Sequence, residues 1–215
     1  MGDILFCWND QATWAPLLNK PESALQTPET ALAVLLESYA GLKVFHACRT
    51  VDVNTYLLEG LRPRMIAELN EAARYIAHEF DATVLDSDLD RAIAEVPFSI
   101  EGNVYASVDR RELQGHVHFF RYGSERVYLI LKRLGDLNGR DYLQQLGAVG
   151  RPIMLELAIP WQDVSQWLQG ELANAVTQSW NDVRGGGGPE VRRWTHAQDK
   201  AILPAAIVAY YEVST

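Results

Sequence analysis

The chain has 215 residues, 48% hydrophobic and 22% charged, with a formal net charge of −9 at pH 7. That length hides roughly 70% of the unfolded surface without help from a metal or disulfide, and no run reaches the ~20 apolar residues of a membrane span. The negative balance excludes nonspecific nucleic-acid binding through a basic face. Two cysteines, Cys7 and Cys48, without metal-ligand spacing point to a reducing, cytoplasmic setting.

Residues 1–27, rich in Trp, Pro and Asn, read as a loosely structured opening. Thr27, Pro28 and Glu29 then mark a helix start, with a cap, a proline at the first position and an acidic first turn. Ala31, Leu32, Val34, Leu35, Leu36 and Tyr39 would be its apolar face, and Gly41 its end. Lys43 to Cys48 is rich in β-formers and predicts a buried strand. Asp52 caps a short helix over 53–59, stopped by Gly60. Met65, Ile66, Leu69, Ala72, Ala73 and Ile76 recur at helical spacing over 64–80, and a second helix follows over 86–96.

The second half predicts more strand. A strand over 103–107 leads to a helix start at 109–114 and a helix over 124–134 with Val127, Leu129, Ile130 and Leu134 inward. Residues 152–160 are the clearest strand in the chain, and 162–175 read as helix. Four glycines and Pro189 form a flexible connection before strands at 190–194 and 207–213. The pattern predicts an α+β fold rather than a doubly wound sheet.

The chemistry concentrates around His46. A histidine at a strand end can donate to ribose hydroxyls, and small neighbours such as Ala47 and Cys48 let a planar amide approach the backbone. Arg49 offers a planar fork that suits phosphate. Phe45-His46-Ala47-Cys48 followed by Tyr56-Leu57-Leu58-Glu59-Gly60-Leu61-Arg62-Pro63 resembles the amino-terminal signature of the ADP-ribosyltransferase superfamily. There a strand ending in His-Gly-Thr precedes a helix and a Gly-Leu-x-Pro turn; here Ala47 and Cys48 stand for the Gly and Thr. The segment Asn103-Val104-Tyr105-Ala106-Ser107 resembles the second core strand of these enzymes. Glu190, followed later by Ile202-Leu203-Pro204 and Ile207, resembles their ending, in which a catalytic Glu opens a strand.

The resemblance implies a split, mixed or antiparallel sheet over 43–215, with a helical extension over 1–42 in the same globule. It implies NAD as substrate, bound by His46, Ala47, Arg49 and a ring stacked on nicotinamide, Tyr105 first and Tyr122 second. Glu190 would stabilise the oxocarbenium-like state by hydrogen-bonding the ribose 2′-hydroxyl, with His46 orienting the adjacent ribose. The acceptor would be a protein or nucleic acid, and an antitoxin or inhibitor a further partner if the chain is a toxin or phage-defence effector.

Other readings stay open. An RNA 2′-phosphotransferase shares the signature, and the replaced Gly and Thr suit a non-catalytic ligand- or protein-binding module on the same fold. His46 also reads as a satisfied core histidine, Arg49 as a partner of Asp52, Tyr105 as core and Glu190 as a solvated turn residue. His116 and His118, two apart on a strand, would share a face with Glu125 downstream. No third ligand stands at a sharper spacing, so no metal is expected.

Overall fold

The structure is a computed structural model that describes residues 4–97 and 102–214. In chain order the elements are β1 (Leu5–Phe6), α1 (Ala15–Leu18), α2 (Pro28–Ser38), β2 (Gly41–Thr50), α3 (Asn54–Glu59), α4 (Ile66–Phe80), α5 (Asp86–Glu95) and β3 (Val104–Ser107). Then follow α6 (Arg110–Gly115), α7 (Val117–Tyr122), α8 (Glu125–Asn138), α9 (Tyr142–Ala148), β4 (Arg151–Pro160), α10 (Gln166–Arg184), β5 (Thr195–Gln198) and β6 (Ile207–Glu212). Residues 1–3 of the expected extension lie outside the described residues.

Local chemistry sets most boundaries. Thr27 accepts from the Thr30 N–H in a reciprocal capping box, and Pro28 occupies the first turn of α2. Asp52 Oδ1 accepts from the Asn54 N–H at 2.9 Å ahead of α3. Gly60 closes α3 at φ 78°, and Leu61 then pairs with Ile202 in an isolated antiparallel bridge. A side chain at residue 60 would both adopt this left-handed backbone and overlap the Ile202 carbonyl. Gly60→Ala is therefore expected to cost at least about 2 kcal/mol, read as a lower urea midpoint with unchanged slope.

The sheet runs β5-β3-β2-β4-β6, with β1 parallel to the start of β2. β2 and β4 form an unbroken antiparallel ladder from Gly41↔Pro160 to Thr50↔Arg151. On the other edge of β2, β3 meets it at one ladder pair, Phe45↔Ser107, while β3 pairs with β5 at four positions. The sheet is thus two pieces, β5-β3 and β2-β4-β6, joined at a narrow seam.

Side-chain alternation gives β2 two different faces. Leu42, Val44 and Cys48 join Ile153, Leu155, Leu157 and Ile159 of β4 in the main core beneath α2 and α10. Phe45 and Met154 face the other way, onto Leu113 of α6 and Phe120 of α7. A second apolar cluster, built from α4, α5, α8 and α9, lies apart from these.

Several expectations are corrected. The opening is not loose: Phe6, Trp8, Trp14 and Leu17 are fully buried in the main core, so residues 4–42 belong to the same body as the sheet. Their indoles find acceptors, Trp14 on the Trp8 carbonyl and Trp8 on that of Glu190, which fixes the segment. Residues 190–194 are not a strand; β5 begins at Thr195. His116 and His118 lie at the start of α7 rather than on a strand. The helix after 162 begins four residues later and runs to Arg184, and α9 was not foreseen.

Candidate functional site

The structure distributes the expected site residues over different surfaces. His46 falls in the alternation on the α2/α10 face, at the point where β2 and β3 part. Its ring takes the place of a ladder bond: Nδ1 lies 2.7 Å from the Tyr105 carbonyl oxygen. A carbonyl only accepts, so Nδ1 carries the proton and Nε2 of the neutral ring presents a lone pair. Burial lowers the pKa below the usual histidine value, partly opposed by the Tyr105 hydrogen bond. His46 is therefore an acceptor toward any ligand hydroxyl, the reverse of the donor role read from the sequence.

The same depression makes stability depend on pH. The unfolded chain takes up the His46 proton near pH 6.5 and the folded chain at lower pH. The contribution is complete above pH 6.5 and is lost as pH falls through the folded value. His196, also lowered chiefly by burial, acts in the same direction. Urea midpoints are expected to be level above about pH 7 and to fall below 6.5, with a shallower fall for His46→Gln.

Arg49 is a clamp. Nε donates to the Val149 carbonyl at 2.6 Å, Nη1 to Phe120 at 3.2 Å, and Nη2 to Gly147 at 2.5 Å and Gly150 at 2.9 Å. Those bonds use four of its five N–H donors, so the expected phosphate contact is replaced by a tie between β2, α7 and the turn before β4. The pairing with Asp52 is also absent from its bonds. Ala47 packs against the Phe45–Phe120 cluster. Tyr122, at the end of α7, stacks on Tyr128 of α8, ring centroids 4.9 Å apart, at the edge of the helical cluster rather than against His46.

Tyr105 is half-buried and, by the register of β3, shares a face with Ala47 rather than with His46. Glu190 lies five residues before β5. Its carboxylate is 77% exposed and 3.2 Å from Arg192, while its carbonyl accepts from Trp8 and Arg111. Cys48 is buried, and burial pushes its thiol up to about 12 despite a hydrogen bond with Tyr56. It remains a neutral thiol at physiological pH.

The larger hollow is elsewhere. A cleft of about 470 Å³ opens on the Phe45 face, between β2, β4, the first turn of α6, residues 7–11 and Pro189. Lys43 and Glu156 lie on its floor, Nζ to Oε2 3.0 Å, with Asn9, Asp10 and Arg110 around it. Burial alone would lower the Lys43 pKa, but the Glu156 hydrogen bond and charge outweigh it and hold the ammonium above its usual value. None of His46, Tyr105, Tyr122 or Glu190 lines this cleft or the smaller hollow of about 220 Å³ between Arg111, Glu112, His116 and Arg193.

Sequence reasoning passed over Lys43 and Glu156, although a signal was present. Glu156 is the one carboxylate within the apolar run of β4, and period-2 alternation puts it on the same face as Lys43. Beneath the cleft wall, fully buried Asp109 holds Arg111 by two nitrogens, Nη2 to Oδ2 at 2.6 Å and Nε to Oδ1 at 2.9 Å. It also accepts from the backbone N–H groups of Arg111 and Arg192. Among the described residues no group of three or more His, Cys, Asp and Glu could hold a metal, and no helix is long and apolar enough to cross a membrane. Comparison with protein-family models gives no match, nor does comparison with curated proteins or with solved structures.

Proposed function

We propose that the chain binds NAD on an ADP-ribosyltransferase-like sheet and transfers ADP-ribose to a macromolecular acceptor, releasing nicotinamide. The observation that supports this is the seam. The strands carrying His46 and Tyr105 are neighbours, yet they are joined at one ladder pair and by the imidazole, so the sheet is already parted beside the histidine. A neutral ring whose Nδ1 is committed to a carbonyl is pre-oriented, with Nε2 left as the acceptor for a ribose hydroxyl. Glu190, anchored by its backbone, would have to exchange Arg192 for the 2′-hydroxyl to stabilise positive charge on the ribose.

Isothermal titration with NAD, together with assay of released nicotinamide, tests this reading. Binding and release in the wild type, with both lost in His46→Ala, is the expected result. Neither binding nor release in the wild type would sink it.

A second reading, a non-catalytic binding module on the same scaffold, draws on Glu190 itself. The strand before Ile202-Leu203-Pro204 opens on Thr195, and the carboxylate stands in solvent. NAD bound without nicotinamide release, equally by wild type and Glu190→Gln, would favour the module. Release that Glu190→Gln abolishes would favour the transferase.

A further inference from the structure

We propose that the cleft on the Phe45 face is a separate binding site for a phosphate monoester of a hydroxylated small molecule, of the size of a sugar phosphate or nucleoside monophosphate. Its volume of about 470 Å³ lies in the range of small-molecule sites. Its charge runs against the chain as a whole. In a protein of net charge −9, three cations, Lys43, Arg110 and Arg111, line the cleft against two carboxylates, Asp10 and Glu156.

The partners of those cations decide the ligand. Arg111 is matched by Asp109 and Lys43 by Glu156. Arg110 takes part in no ion pair among the described residues; its guanidinium lies close enough to Tyr211 to act on that side chain electrostatically. The Tyr211 hydroxyl donates to Met154 Sδ at 3.0 Å, so its proton is directed away from the cation. A phenol beside the guanidinium does not neutralise it, so the cleft holds a cation without an ion-pair partner among the described residues. The Lys43 ammonium uses one of its three donors on Glu156 and has others to offer. An arginine fork and a lysine point charge from different elements suit a doubly charged phosphate better than a single carboxylate. Asp10 and Glu156 on the same walls are acceptors for the sugar hydroxyl groups that such an ester carries and inorganic phosphate lacks.

The test is titration calorimetry of the full chain with ribose 5-phosphate, AMP, inorganic phosphate and ribose. Binding of either ester, weakened about tenfold or more in Arg110→Ala, supports the site, and the tighter ester identifies the source. The paired replacement Lys43→Met with Glu156→Leu removes both floor charges together, leaves no orphan, and is expected to weaken ester binding likewise. Circular dichroism checks that each variant is folded. No ester binding at millimolar concentration, ester binding unchanged in both folded variants, or inorganic phosphate bound as tightly as the esters would overturn the proposal. Ester binding without nicotinamide release in the NAD assay would leave this site standing while the transferase reading falls.

Discussion

Asp109→Ala is expected to lower stability by about 2–3 kcal/mol, less than the loss from a fully buried ion pair because the Arg111 side chain is 32% exposed. The carboxylate is fully buried and answers four donors: two from the Arg111 guanidinium and the backbone N–H groups of Arg111 and Arg192. Its loss leaves Arg111 with only the Pro189 and Glu190 carbonyls and strips the Arg192 N–H of its acceptor. Because Asp109 also caps α6, the damage is expected to spread to the wall of the cleft. Chemical denaturation measures it. Asp109→Asn, which keeps an acceptor but not the charge, is expected to fall between the two. A loss under about 1 kcal/mol would show that the Asp109 network is dispensable.

Arg49→Met is expected to cost about 2–3 kcal/mol, since hydrogen bonds to a charged group contribute about 1.5–3 kcal/mol and four bonds on one side chain do not add. The half-exposed setting of the clamp keeps the figure below a simple sum. Arg49→Lys is expected to recover little, because an ammonium cannot span the carbonyls of Phe120, Gly147, Val149 and Gly150 together. The result separates two roles for the residue. A clamp loses stability in Arg49→Met, whereas a phosphate ligand would lose NAD affinity at unchanged stability.

The helices with local signals were legible in the chain itself. The Thr27-Pro28 cap, the Gly60 stop and the apolar spacing over 64–80 each act within one or two turns, and the structure places α2, α3 and α4 there. The apolar run ending in Pro160 foretold β4 for the same reason. Where the reading went wrong, distant contacts overrode local pattern. Residues 4–25 look irregular, but five large apolar side chains, Phe6, Trp8, Trp14, Leu17 and Leu25, dock into a core supplied by β2, β4 and α10. Residues 190–194 have strand composition, yet Arg111, Asp109 and Trp8 use their backbone groups where a neighbouring strand would have to pair.

The candidate site divides in the same way. The motif that follows it, more than its residue type, marked His46 as the centre of the candidate site, and the planar fork of Arg49 suggested phosphate. The sequence by itself determined an α+β chain of ordinary composition, its strongest helices and strands, and a histidine on a strand; that His46 lies within β2 rather than at its end came from the pairing with β4. Only the tertiary structure decided what each group faces. The seam at Phe45↔Ser107 turned His46 toward the Tyr105 carbonyl, and α7 with the turn before β4 enclosed Arg49 in carbonyls. The pairing of β2 with β4 brought Lys43 and Glu156 together across 113 residues of chain. The reason is range: capping and periodicity operate over a few residues, whereas a cleft is made by side chains that meet only after the sheet has closed.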